Sequence, residues 1–253
     1  MADILQIGSA QLGLADVLGK LEQHDLLPRL VQGVVIDEAL AAVECNAEEA
    51  RQQYYAERQL LTPEQQRAWQ QQQGVTPEQV AQVALKEVKL SRFKENTWGA
   101  QVESHFLQRK TQLDRVLYSL IRTKDASLAQ ELYFRLKDDE ASFADLAKDY
   151  SEGQEAQTGG LIGPVELHVP HPSLGRLLSV SQPGQLWAPT PIGEWYVIAR
   201  LEKFLPIQFD SATRSRMLDE LFKSWLQQKM QQTEVQLTNN NATNAELESM
   251  PVA

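Results

Sequence analysis

The chain has 253 residues, enough for one or two domains. Hydrophobic residues make up 42%, and the formal net charge of −10 argues against a general nucleic-acid surface, which must be basic to bind phosphates. The charge also argues against a polybasic membrane anchor. The sequence contains no apolar run of about eighteen residues, so no transmembrane helix is predicted. The single cysteine excludes an internal disulfide. Because the N-terminus lacks the pattern of a signal peptide, we expect a cytoplasmic protein without membrane insertion.

Residues 1–112 are predicted to be almost entirely helical. Apolar residues from Leu26 to Ala42 recur at spacings of three and four, as in an amphipathic helix. Asn46 is positioned to cap a second helix. Thr62 and Thr76 are each followed by Pro and Glu, which combines a capping side chain, a proline at the first helical position and an acid in the first turn. These two threonines therefore predict two further helix starts.

The pattern changes at Leu113, where short apolar runs rich in strand-forming residues begin. The predicted elements are a strand at 116–121, helices at 127–137 and from 142, a strand or turn at 161–169, a short helix at 172–178, and two strands, the last at 195–201. A polar, glycine-bearing loop joins the second helix to residue 161. This order predicts an α+β unit of about ninety residues.

The C-terminal part is predicted to be one helix followed by a tail. Residues 211–232 place large apolar side chains on one helical face, which must be buried against something. The tail from residue 233 is rich in Asn and Thr and has few apolar groups, so we expect it to be disordered.

Four stretches follow one another at ordinary spacing and resemble the parvulin-type peptidyl-prolyl isomerase family, also called PpiC or rotamase. They are FADLAKDYSE at 143–152, GGLIG at 159–163, QPGQ at 182–185 and GEWYVI at 193–198. The resemblance covers about Asp114 to Phe204. It implies a small antiparallel sheet with flanking helices and a polypeptide substrate.

Residues 26–112 look like the helical N-terminal domain of SurA- and PrsA-like chaperones, in which a rotamase domain is embedded. This resemblance implies an α+β chain with a helical chaperone-like domain at 1–112 and a parvulin-like domain at 113–206. A C-terminal helix at 207–232 would return to pack on the N-terminal domain, and 233–253 would be the disordered tail.

The resemblance also indicates where the functional site lies. The two facing histidines of the family fall at Ser119 and near Val197, and its loop acid or cysteine falls at Gly153, so all three positions are substituted. Peptide is expected to lie in a groove over the sheet, contacted by Tyr118, Leu161, His168, Leu174, Trp187, Trp195 and Tyr196. His168 and His171 are candidates to line the pocket, with exposed loop residues as the alternative. They have no neighbouring cysteine, so neither a metal nor a cofactor is expected.

The leading hypothesis is a folding factor that binds unfolded or extended polypeptide, with isomerase activity weak or lost. One alternative is an active prolyl isomerase with a rearranged pocket, and another is a non-catalytic docking adaptor. The expected partners are polypeptide clients, including X-Pro segments or proteins awaiting export, and not nucleic acid. The sequence leaves the oligomeric state open.

Overall fold

The computed structural model describes residues 5–235 of the chain. It divides into two compact units: one contains the described residues up to Ala100 and from Leu218 onward, and the other is Gln101–Met217. The predicted α+β class is confirmed, because the described chain combines many helices with a small antiparallel sheet. The predicted domain boundaries after residues 112 and 206 stay a prediction.

The first unit is mostly helical. Its elements begin with β1 (Leu5–Ile7), β2 (Ala10–Leu12), α1 (Leu14–Gln23), α2 (Leu27–Ala41), α3 (Ala47–Glu57), α4 (Pro63–Gln73) and α5 (Pro77–Trp98). The antiparallel hairpin of β1 and β2 corrects the expectation of helix throughout residues 1–112. Gly8 provides the positive φ of 60° in the turn between the two strands.

The predicted helix starts in this unit are confirmed. The side chain of Asn46 accepts hydrogen bonds from the backbone N–H groups of the first turn of α3. Thr62 and Thr76 each accept from the N–H three residues later, and the side-chain oxygen of the glutamine there accepts a hydrogen bond from the threonine N–H. The apolar faces of α3 and α5 pack against each other. Their shared buried core contains Ala50, Tyr54, Tyr55, Val80, Ala84 and Val88.

The second unit holds the sheet. Its elements are α6 (Val102–Leu113), β3 (Arg115–Thr123), α7 (Ala126–Lys137), α8 (Phe143–Tyr150), a 3-10 helix (Gln154–Thr158), β4 (Leu161–Glu166), α9 (Pro172–Ser179), β5 (Leu186–Ile192), β6 (Trp195–Leu205) and the start of α10 (Ser211–Gln232). The strands pair in the order β4-β3-β6-β5, and every neighbouring pair is antiparallel. The 3-10 helix lies in the segment predicted to be a loop.

The two faces of this sheet have separate cores, because side chains alternate between faces along each strand. α7 and α8 cover one face, where Ile121 and Ile198 are fully buried. α9 packs on part of the other face, where Leu174 and Leu178 join Tyr118 in a second core. The uncovered remainder of this second face is where the groove described below lies.

Helix α10 is divided between the units at Met217 and Leu218. Within the first unit, the Trp225 ring lies 5.2 Å from the Phe93 ring, and the Phe222 ring lies 6.3 Å from that of Trp98. The apolar face of α10 is therefore partly buried against aromatic side chains of α5. Most of the predicted disordered tail, residues 236–253, lies outside the described residues. Within residues 5–235, no helix has both the length and the apolar character needed to cross a bilayer.

Candidate functional site

A groove of about 1040 Å³ runs over the uncovered face of the sheet. Strands β3 and β6 form its floor, and the 3-10 helix, β4, the start of α9 and the β5–β6 turn form its walls. Its lining includes Tyr118, Leu120, Arg122, Glu155, Thr158, Leu161, Ile162, His171, Leu174, Ile192, Trp195 and Val197. The groove is therefore apolar along much of its length, with one polar cluster between β3 and the 3-10 helix.

Glycines let the wall approach the floor closely. Gly159, Gly160 and Gly163 have φ values of 62°, 82° and 113°, a backbone conformation that glycine adopts without strain. A Cβ on Gly160 would lie 2.8 Å from the carbonyl oxygen of Leu120. The Leu120 N–H donates to the Gly160 carbonyl over 2.9 Å, so the backbone itself joins wall and floor.

Strand register decides which residues face the groove. Arg122 pairs with Val197, and Tyr118 pairs with Leu201. Directly paired residues share a face, and Tyr118, Arg122 and Val197 all line the groove. Ser119 pairs instead with Arg200 on the opposite face, so the structure does not bring it to the groove.

The Ser119 hydroxyl has a structural partner on its own face. It donates to Glu202 Oε1 over 2.6 Å, and the same oxygen lies 2.8 Å from Arg200 Nε. The guanidinium of Arg200 lies over the Phe143 ring, in the core beneath α7 and α8. Ser119 is therefore part of a partly buried polar network on the face away from the groove.

The polar cluster of the groove consists of Arg122 and Glu155. The Glu155 side chain is only 4% exposed, and its Oε1 lies 3.0 Å from Arg122 Nε. Arg122 Nε forms no hydrogen bond, so the contact is an ion pair. Ser151 donates its hydroxyl proton to Glu155 Oε1 over 2.7 Å. The buried carboxylate thus has both a cation and a donor.

Gly153 lies behind this ion pair rather than in the groove lining. Its φ of −115° and ψ of 176° are open to any residue. A Cβ there would nevertheless overlap Arg122 Nε and Glu155 Oε2. The position where the family resemblance places an acid or cysteine must therefore stay small, because the acid two residues later occupies the space.

Burial and the Glu155 charge change the chemistry of Tyr118. Burial is the larger cause and the negative charge of Glu155 the second, and together they raise the pKa of the Tyr118 phenol to about 12, although Arg122 opposes them. The phenol is 4% exposed overall. It therefore stays protonated, and able to donate a hydrogen bond, throughout the physiological range.

Trp195 forms the end of the groove beside two cations. The guanidinium carbon of Arg122 lies 5.3 Å from the Trp195 ring centre, and Lys124 Nζ lies 4.9 Å from it. Lys124 also forms a 2.9 Å ion pair with the exposed Glu194. Since each cation has an acidic partner, this end of the groove does not carry a strong positive charge.

The structure brings together only some of the residues predicted for the site, whether as substituted family positions or as substrate contacts. Tyr118, Leu161, Leu174, Trp195 and Val197 line the groove. Ser119, Gly153, His168, Trp187 and Tyr196 do not. Of the two histidines considered, His171 reaches the groove, where its ring also caps α9.

The other predicted residues have contacts elsewhere. His168 Nδ1 lies 3.3 Å from Glu166 Oε2 and is exposed. Trp187 donates its indole N–H to the Ser181 hydroxyl over 2.7 Å. Tyr196 pairs with Thr123, on the face opposite the groove.

Arg122 and Glu155 are not among the residues predicted from the sequence. One signal was available, since a glycine at the expected acid position is followed two residues later by a glutamate. Within the part of the chain that the structure describes, no three His, Cys, Asp or Glu side chains are grouped so that they could hold a metal ion.

Comparison with solved structures finds similar chains at low identity. A peptidyl-prolyl isomerase, PrsA, from Bacillus anthracis is 17% identical with a TM-score of 0.42, covering 83% of this chain and 100% of that one. The foldase PrsA from Streptococcus pneumoniae is 16% identical with a TM-score of 0.42, covering 96% and 98%. One of two structurally related SurA-like chaperones of Campylobacter jejuni is 16% identical with a TM-score of 0.36, covering 92% of this chain and 99% of that one.

No curated protein matches the chain. The model of the rotamase family, described as the PPIC-type PPIase domain, matches residues 119–203. The match begins in β3 and ends in β6, so it includes residues of all four strands of the sheet. The resemblance expected from the sequence is thereby confirmed, and residues 119–203 match the PPIC-type peptidyl-prolyl isomerase family.

Proposed function

We propose that this domain binds proline-containing segments of extended polypeptide in the groove and isomerises them slowly. The observation that carries the proposal is the floor of the groove, where Leu120 and Val197 present an apolar surface that Leu174 extends from the wall. A proline ring and its neighbours are mainly apolar, so they gain by leaving water for such a surface. The polar cluster beside the floor lets the peptide backbone keep hydrogen-bonding partners.

Slow turnover follows from the residues present at the family's histidine positions. The X–Pro amide must lose its resonance to rotate, against a barrier of roughly 18–20 kcal/mol. An apolar site lowers that barrier by itself to some extent, since the twisted amide has lost charge separation. Val197 offers no polar group to assist, and the Ser119 hydroxyl is bonded to Glu202 on the other face.

A chemical-shift titration tests the binding part. A blocked tetrapeptide with proline in its third position is added to the isotope-labelled chain, and the shifted amides are expected to lie along β3, β6 and the start of α9. Leu161→Lys should weaken binding, because Leu161 lines the groove yet is 45% exposed, so the fold tolerates the change. Val180→Lys is the matched control, since Val180 is 71% exposed and does not line the groove.

Exchange spectroscopy on the same peptide tests the rate. We expect measurable exchange between cis and trans that is well below that of a parvulin domain which keeps both histidines. Equal turnover would contradict the slow-isomerase proposal while leaving binding intact. Shifts that are absent, or that are insensitive to Leu161→Lys, would refute the groove as the binding site.

A further inference from the structure

The hydroxyl of Tyr118 is a polar group with no assigned role. The Tyr118 ring is packed in the core beside Leu120 and Leu174, which leaves the side chain 4% exposed. Among the described residues no hydrogen bond is formed by its hydroxyl, and that oxygen is open to the groove. A buried polar group without a protein partner gains from one supplied by a ligand.

The polar chemistry around Tyr118 favours a ligand that accepts hydrogen bonds. The neighbouring Glu155 carboxylate already accepts from Ser151 and faces Arg122, so it holds the cluster together. Its charge and the burial of the ring raise the pKa of Tyr118 to about 12, which keeps the phenolic proton in place at neutral pH. The hydroxyl is therefore available as a donor.

An X-Pro segment has the complementary chemistry. Proline has no backbone N–H, so an X–Pro peptide bond offers a carbonyl oxygen and no donor. A groove that presented only acceptors at this point would leave that carbonyl unsatisfied. A groove that presents a phenolic O–H satisfies it, and the apolar floor beside the hydroxyl accommodates the ring.

We propose that the Tyr118 hydroxyl donates a hydrogen bond to the carbonyl oxygen of the residue preceding proline and so holds bound X-Pro segments. The inference rests on the proposed function and names the group that recognises its substrate. The carbonyl oxygen carries more negative charge in the planar amide than in the twisted one, because resonance places charge there. The hydrogen bond therefore stabilises bound substrate more than the transition state. It raises the affinity for the peptide without raising the rate at which bound peptide isomerises.

Tyr118→Phe tests the bond with the loss of a single oxygen. Tyr196→Phe is the matched control, because Tyr196 lies in the same domain on the opposite face. With the full chain and the blocked proline tetrapeptide, we expect Tyr118→Phe to raise the dissociation constant by roughly 2- to 10-fold, the effect of one net hydrogen bond. At saturating peptide the cis–trans exchange rate should not fall, and Tyr196→Phe should match the wild type in both measurements.

Three other outcomes would overturn the inference, and each can be distinguished from the others. Equal affinity of Tyr118→Phe and wild type would remove the donor role but leave the proposed function standing. A lower exchange rate at saturation with unchanged affinity would show that the hydroxyl acts on the transition state instead. If the wild type binds no peptide, the proposed function and this inference fail together.

A second measurement needs no variant. In the wild type labelled with ¹³C at the tyrosine ring carbons, formation of the hydrogen bond should move the Cζ resonance of Tyr118 when peptide is added. The Tyr196 resonance provides the internal control and should stay in place. A Tyr118 resonance that stays fixed while the peptide binds would overturn the proposal, whatever the stability of the variant.

Discussion

Gly153→Ala is expected to destabilise the second unit through one contact, the ion pair of Arg122 and Glu155. The backbone of Gly153 has φ −115° and ψ 176°, so alanine causes no torsional strain. The new Cβ would, however, overlap Arg122 Nε and Glu155 Oε2. The ion pair must then shift, although the Glu155 side chain is only 4% exposed and depends on its cation.

Two opposing terms give the magnitude. Inserting a methyl group into a filled site costs about 1–3 kcal/mol. Replacing glycine by alanine where the backbone permits it returns about 0.4–1 kcal/mol, because the unfolded chain loses freedom. We therefore expect a net loss of about 1–2 kcal/mol, since both displaced groups end flexible side chains and can partly adjust.

Native-state hydrogen exchange measures this loss locally in the full chain. The amides of Ile121 and Ile198 are suitable reporters, because both residues are fully buried in the sheet. Gly33→Ala in α2 is the control: a Cβ there has nothing within 4 Å, so those two reporters should not change. When Arg122 and Glu155 have both been truncated to alanine, no side chain remains to be displaced. If Gly153→Ala still lowers stability by the same amount in that background, displacement of the ion pair is not the cause.

Three further predictions concern other parts of the molecule. Folding raises the pKa of the Tyr118 phenol from about 10 to about 12. The stabilisation from the protonated phenol is therefore complete below pH 10, and the free energy of unfolding falls as the pH rises from 10 to 12. The loss is at most about 2.7 kcal/mol, less where groove water screens the phenolate, and urea unfolding of Tyr118→Phe over this range should lack it. Gly160→Ala should lower stability by about 3 kcal/mol in the same assay, because alanine is strained at φ 82° and its Cβ would press on the Leu120 carbonyl. Trp225→Ala should cost about 2–3 kcal/mol by removing the contact of a half-buried ring with Phe93, and hydrogen exchange of α5 amides should report it.

Local signals in the sequence predicted several elements well. The threonines before α4 and α5 identified those helix starts because a cap is a contact within four residues. The hairpin at Leu5–Leu12 was missed, because its six paired residues are mostly exposed and show no alternation between core and solvent.

The site was predicted less well, because its geometry depends on contacts distant in sequence. The groove residues Leu161, Leu174 and Trp195 followed from the family resemblance. Nothing local indicated that Glu155 would meet Arg122, since the two are joined only when the 3-10 helix folds back on β3. A buried acid can be identified from the cation that it pairs with. Here the cation, Arg122, lies 33 residues before Glu155 in the chain, so the pair forms no local sequence pattern.

The placement of Ser119 shows why register matters more than alignment at this site. A shift of one residue exchanges the two faces of a strand. Strand β6 holds one extra residue between the pairs Leu117–Lys203 and Tyr118–Leu201, and Glu202 is that residue. With this bulge, Leu201 packs on the groove side, and Glu202 turns to the opposite face, where it accepts the Ser119 hydrogen bond.

The bulge has a signature in the sequence. Apolar residues of β6 on the groove side occur at 197, 199, 201 and then 204, so the spacing changes from two to three. A regular strand would have placed Lys203 in that core, where its charge has no partner among the apolar side chains. The change in spacing fixes the register on both sides of the bulge, and with it the identity of the groove-facing residue of β3. Tyr118, rather than Ser119, is therefore the residue whose hydroxyl can meet a peptide.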